Sequence, residues 1–347
     1  MIEKNLILHV GLGRTSTTTL QKKIFPKLCS IYNYKYADHS VLEKKNQDLD
    51  IKKKIIKHIE RMVLKKKSKA LTIQGKVLIS SENLSGWNPI FYEQFSEDNL
   101  IAFGKNAHVM LVIREPLIYL NSVYNHQVIR AVPNYRKPSN YFIDSRNLPN
   151  TKFSAYAGGN FAIDYFSYKN LINFYRKRFN KVTVVKHESL ENMQFLNEFF
   201  PVDNLIINKL KKEYQTNILN YRTKISKFMF YISHVLYRLR YIINGIKFIY
   251  NIIFNKPNTK INRSKNNSNE PGKNIYKKIY NFLFFNGRLY VADLYKIYIL
   301  NLINDIFNFK QYNLKLNKYI DIEIIKQLKE EYSRIPSIVT YIKKNKN

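Results

Sequence analysis

The stretch Asn5-Leu-Ile-Leu-His-Val10-Gly-Leu-Gly-Arg14-Thr-Ser-Thr-Thr-Thr19-Leu-Gln21 carries the most information in the chain. Residues 5–10 are largely apolar without polar alternation, the pattern of a short strand covered on both faces. Gly11 and Gly13 then turn the chain. The five consecutive hydroxyl residues Thr15, Ser16, Thr17, Thr18 and Thr19 lead into a helix predicted over about 17–28. A helix start presents free N–H groups and the positive end of its dipole, which together attract an anion. Gly11 and Gly13 let the backbone curl round a phosphate with no Cβ in the way. Arg14 adds a permanent charge whose fork matches two oxygens of a phosphate or sulfate.

The turn fits three known patterns unequally. A nucleotide-kinase P-loop needs G-x-x-x-x-G-K-[ST], and no Lys lies inside this loop. A dinucleotide fingerprint needs G-x-G-x-x-G; Gly11 and Gly13 fit, but Ser16 stands at the third position. The plainest alternative is an ordinary capped helix, since Ser and Thr are good N-caps, although five in a row exceed what capping needs.

Further out, 77–81 (VLISS), 109–113 (VMLVI) and 182–186 (VTVVK) are more short β-branched runs, with helical patterns at 51–67, 117–128 and 165–179 between them. Strands alternating with helices predict an α/β fold, a central parallel sheet flanked by helices. Beyond Pro201 the chain turns helical and basic over 205–254, passes a polar loop at 255–273, and is helical again over 275–316 and 320–343. The expected organisation is an α/β domain over 1–290, with a basic helical insertion at about 205–255, and a helical extension over 291–347 packed on it.

A second motif, Arg114-Glu-Pro116-Leu-Ile-Tyr-Leu-Asn-Ser122, follows the strand at 109–113. Arg114 stands at a strand's carboxyl end, where open α/β sheets bind ligands. Pro116 suits the first turn of the next helix. Ser122 lies two turns along, so an anion resting beside the helix can touch both side chains.

In this order the two motifs resemble those of sulfotransferases that use 3′-phosphoadenosine-5′-phosphosulfate (PAPS), of the bacterial and carbohydrate type. That family opens with a strand, a loop of the form Lys/Arg-[Ser/Thr]-Gly-Thr-Thr and a helix; here the loop is Arg14-Thr15-Ser16-Thr17-Thr18, then Thr19, with Ser16 replacing the glycine. The resemblance covers about 5–200 and, loosely, 255–290. It implies a P-loop NTPase-like sulfotransferase fold, PAPS as donor and no metal. Gly13, Arg14 and the hydroxyl run from Thr15 to Thr19 would hold the 5′-phosphosulfate, and Arg14 would also face the transferring sulfuryl group. Arg114 and Ser122 would hold the 3′-phosphate, with Arg263 and Ser264 of the polar loop closing over it. Glu82, after the strand at 77–81, is the candidate general base. Ser80 and Ser81 beside it are weaker cofactor candidates, and His9 and His187 are alternative bases. The segment Val185-Lys-His187-Glu188-Ser-Leu190 resembles a recurrent strand–turn of these enzymes and is read as structural. The implied reaction moves a sulfuryl group to a hydroxyl or amine of an acceptor, a carbohydrate or glycolipid.

Composition bounds the alternatives. Of 347 residues 45% are hydrophobic, with 27 Tyr and 22 Phe, so the chain is not disordered throughout. A single cysteine, Cys29, excludes an intramolecular disulfide framework and a Cys-cluster metal site. The 58 Lys and Arg against 25 Asp and Glu leave a net charge of +33, concentrated at 44–69 (eleven basic, three acidic) and 209–288 (seventeen basic, two acidic). Such an excess invites polyanions, acidic lipids or phosphorylated ligands, and it also arises from plain codon bias toward Lys. The most apolar stretch, 228–254, is interrupted by Arg238, Arg240 and Lys247. It reads as a basic amphipathic helix, packed on the core or lying on a membrane surface, rather than a span. No signal-peptide pattern precedes Gly11, so the expected location is cytoplasmic, with peripheral membrane contact through 228–254 and no specific nucleic acid. The competing classes are a P-loop kinase and a non-enzymatic basic protein binding nucleic acid or membrane. The second would account for the charge and not for two phosphate-type motifs in order.

Overall fold

The computed structural model describes residues 6–15, 17–38, 48–130, 138–146, 159–220 and 315–343. Its centre is a six-stranded sheet formed by β1 (Leu6–His9), β2 (Lys35–Asp38), β3 (Val77–Ser80), β4 (His108–Ile113), β7 (Lys181–Lys186) and β8 (Ile338–Ile342), in the order β2-β3-β1-β4-β7-β8. The first five run parallel, and β8 pairs antiparallel with β7. Two short strands, β5 (Phe142–Ile143) and β6 (Phe161–Ala162), pair separately. The protein is thus α/β, with a mostly parallel central sheet flanked by helices.

Alternate strand residues face opposite sides of the sheet. On one face Ile7, Leu78, Met110, Val112 and Val185 pack against Leu20, Ile24, Phe25 and Leu28 of the first helix and against Ile207, Leu210 and Tyr214 of the helix Asn204–Asn220. The intervening residues Leu8, Ile79, Val109 and Leu111 are fully buried toward the other face. The helices Tyr92–Phe103 and Tyr168–Arg178 pack together on that side. The strand order reverses about β1, whose neighbours are β3 and β4. Crevices outside the carboxyl ends of strands at such a switch point are where open α/β sheets bind ligands, and the turn after β1 emerges there.

Local chemistry explains where elements begin and end. The hydroxyl run opens a helix at Thr17–Thr19, which passes through a π-helical turn at Leu20–Ile24 and continues as Phe25–Ile31. Much of the first basic run forms the helix Leu49–Val63, capped by Asp48, whose carboxylate accepts from the Asp50 and Ile51 N–H groups at 3.1 and 3.0 Å. That helix buries Ile51, Ile55, Ile59 and Met62 and stops short of the predicted residue 67. Lys65 takes a left-handed conformation (φ 53°), and the Lys65 and Lys66 N–H groups return to the Met62 and Arg61 carbonyls, a Schellman ending. The expectation of helix over 320–343 fails at Pro336. The helix Ile322–Arg334 ends before it, and the β-branched run that follows adds β8 to the sheet.

Two compact units partition the chain: 1–123 with 137–222 and 315–347, and 124–136 with 223–314. The amphipathic stretch at 228–254 and the polar loop at 255–273 lie outside the described residues, as do nearly all of 275–316. Among the described residues no helix is long and apolar enough to cross a membrane.

Candidate functional site

The carboxyl ends of β3, β1 and β4, side by side in the sheet, deliver Glu82, the Gly11–Arg14 turn and Arg114 to one edge. Gly11 (φ 63°) makes the first bend in the left-handed region, where a glycine carries no Cβ penalty. Arg14 also lies there, at φ 73°, which non-glycine residues rarely adopt. Its surroundings hold it on both sides. The Arg14 carbonyl accepts from Nη1 of Arg114 at 3.1 Å, and Arg14 Nε donates to Oγ of Ser122 at 3.2 Å. Arg14, Arg114 and Ser122, drawn from two motifs about a hundred residues apart, therefore form one cluster.

The hydroxyl run divides. Thr15 is fully buried and its Oγ1 donates to the Leu12 carbonyl at 2.6 Å, so this hydroxyl closes the turn. Thr18 is exposed and Thr19 nearly buried. Thr17 contributes its backbone to the first helical turn. Ser16, the side chain of Thr17, Arg263 and Ser264 lie outside the described residues.

Gly13 has a role the sequence reading missed. A Cβ built on it would lie 2.7 Å from Cη2 of Trp87 and 3.0 Å from Cζ3, so the indole edge occupies the space a side chain would need. The indole N–H donates to Oδ1 of Asn83 at 2.9 Å, tying the ring to the short 3-10 turn Glu82–Leu84. Trp87, the single tryptophan of the chain, thereby stands between the turn after β1 and the residue after β3. Nothing in the sequence links positions 13 and 87.

Glu82 is half-buried at the start of that 3-10 turn. Burial holds the Tyr119 hydroxyl well above its usual pKa, and the Glu82 carboxylate adds to the effect. Glu82 therefore lies near Tyr119, one turn before Ser122 on the helix Pro116–Arg130. Ser80 and Ser81 are fully buried and engaged: Ser80 Oγ pairs with His9 Nδ1 at 2.6 Å, and Ser81 Oγ accepts from the Asn83 N–H at 3.3 Å. His9 is fully buried, and desolvation pushes its pKa down to about 3. The ring is thus closed to solvent and engaged with Ser80. His187 is half-buried at the end of β7, two strands from β1. Cys29 is buried, its thiol pushed up to about 12 by desolvation. Among the described residues no group of three or more His, Cys, Asp or Glu side chains is placed to hold a metal ion.

The donor set consists of two guanidinium groups, a hydroxyl and a helix start, and suits a phosphate or sulfate dianion. No family model, curated protein or solved structure matches the chain.

Proposed function

We propose that the protein is a PAPS-dependent sulfotransferase with a P-loop-like sulfotransferase fold, acting on a hydroxyl or amine of a carbohydrate or glycolipid acceptor. The observation that carries this reading is the joining of the two motifs through Arg14, Arg114 and Ser122 at the switch point of the sheet. PAPS, when bound, supplies an activated sulfuryl group on a leaving phosphate. Arg14 and the N–H groups of the turn stabilise charge gathering on the equatorial and leaving oxygens, by the same electrostatic logic as in phosphoryl transfer. Arg114 and Ser122 take the 3′-phosphate and fix the register of the nucleotide. Glu82, at the end of the neighbouring strand, accepts the proton of the acceptor. Trp87 limits how far the turn at Gly13 can move.

Calorimetric titration with adenosine 3′,5′-bisphosphate (PAP) tests the reading, with ATP and Mg²⁺ in parallel. Arg14→Ala and Arg114→Ala are each expected to weaken PAP binding by about tenfold or more, the scale of a lost charge-assisted contact. Gly13→Ala, which drives a methyl into the Trp87 ring, should weaken it as well and shift the tryptophan emission. Binding of ATP with Mg²⁺ in place of PAP would overturn the assignment in favour of a kinase. Binding of neither, with salt-sensitive binding to nucleic acid, would overturn it in favour of a basic binding protein.

A further inference from the structure

The helix Ile322–Arg334 reaches the same edge of the sheet as the anion cluster, beside the ends of β4 and β7. Its apolar side buries Ile325 and Leu328, and two consecutive residues make its polar and aromatic contacts near the site. Glu331 accepts from the Ser167 hydroxyl at 2.8 Å and from the Lys169 N–H at 3.3 Å, at the start of the helix Tyr168–Arg178. Tyr332 places its ring 5.9 Å from that of Tyr168, centroid to centroid, and Tyr168 in turn donates its hydroxyl to the Arg114 carbonyl at 2.6 Å. Lys186 Nζ stands 4.3 Å over the Tyr332 ring, and the Tyr332 hydroxyl donates to the Glu188 carboxylate. Glu188 lies in the turn after β7, next to Lys186 and His187.

A carboxylate loose at this edge would compete with an anionic ligand for the cations there. Lys186 feels the charge of Glu188, and the Tyr332 hydroxyl feels Glu188, Glu115 and Arg114 together. We infer that Tyr332 is a positioning residue of the anion site: its ring backs Tyr168 beneath Arg114, and its hydroxyl ties Glu188 back so that the carboxylate does not neutralise the neighbouring cations. Residues 322–334 then belong to the binding machinery rather than to a separate extension. The inference deepens the proposed function and rests on the anion site assigned there.

Four proteins test it: wild type, Tyr332→Phe, Glu188→Gln and the double variant, each titrated with PAP and, separately, with inorganic sulfate. Tyr332→Phe keeps the ring contacts and removes only the tether. It should bind PAP about fivefold more weakly, the effect of one existing carboxylate released toward the cations at partly screened distance. Glu188→Gln in the same chain should restore affinity to within about twofold, a rescue that loss of packing would not show. Tyr332→Phe binding like wild type would overturn the inference, as would a double variant that stays as weak as Tyr332→Phe. The sulfate arm separates the two proposals: binding of sulfate without PAP would sink the PAPS reading, while the order of the four proteins in sulfate still decides the role of Tyr332.

Discussion

The two faces of the sheet differ in the polarity their strands carry. On the side of the first helix, strand side chains pair sideways: the buried His9 with Ser80 at 2.6 Å and the half-buried His108 with Thr183 at 2.8 Å. On the other face the strands are aliphatic, and helices bring the polar groups: the buried pair His58–Asn99, and tyrosines whose hydroxyls reach backbone carbonyls near the strand ends. Tyr168 reaches Arg114 at 2.6 Å and Tyr175 reaches Leu84 at 3.4 Å. An imidazole buried in this way must stay neutral, so desolvation pulls His9 and His108 down to about 3. A buried phenol is neutral already, and desolvation pushes Tyr119, Tyr168 and Tyr175 up. The strand histidines, together with the helix-borne His58, therefore weaken the fold toward acid, and the buried tyrosines weaken it toward alkali.

The largest expected effect tests the first half of that contrast. The unfolded chain protonates these histidines near pH 6.5 and the folded chain only near 3, so the unfolded state binds more protons in between. Stability is full above about pH 6.5 and falls as pH drops toward 3, each such histidine contributing about 1.4 kcal/mol per pH unit. Urea unfolding from pH 7 to 4 should show this slope, and His108→Asn should remove about one histidine's share; an unchanged slope would break the comparison. Next in size is Tyr168→Phe, expected to cost about 1 kcal/mol, equally at pH 5 and pH 8, and to weaken PAP binding a fewfold through Arg114. Since the raised tyrosines are neutral in the fold, stability should also fall as pH climbs past about 10, which phenolate absorbance during unfolding would follow. Smallest is Glu97→Gln. Arg178 keeps Glu93 at 3.3 Å after losing Glu97 at 3.2 Å, and both carboxylates are largely exposed, so thermal melts should differ by less than about 0.5 kcal/mol.

Four of the five parallel strands were legible because each is a short run dominated by apolar or β-branched residues. β2 was not: Lys35-Tyr-Ala-Asp38 has charged ends and only two apolar residues, and it is a strand because β3 offers it a partner. The helix Tyr92–Phe103 escaped notice because its buried side includes Ser96 and Asn99, which blur the helical period. At the site, Gly11, Arg14, Arg114 and Ser122 stood out by residue type and spacing. Trp87, Tyr168 and Tyr332 did not, since aromatic residues are common throughout this chain and their roles come from long-range contacts that no local pattern encodes.

The pairing of β8 with β7 has a kinetic consequence. About 150 residues separate Lys186 from Ile338, so the last strand can dock only after that whole length has been synthesised. Closing so long a loop adds little to the equilibrium cost, because closure entropy grows only logarithmically with length. It delays completion of the sheet, however, since non-local pairing is slow. During that interval the outer edge of β7 presents unpaired backbone groups to any neighbouring chain. The nascent protein thus carries an open strand edge for a defined window of translation, before residues 338–342 cover it.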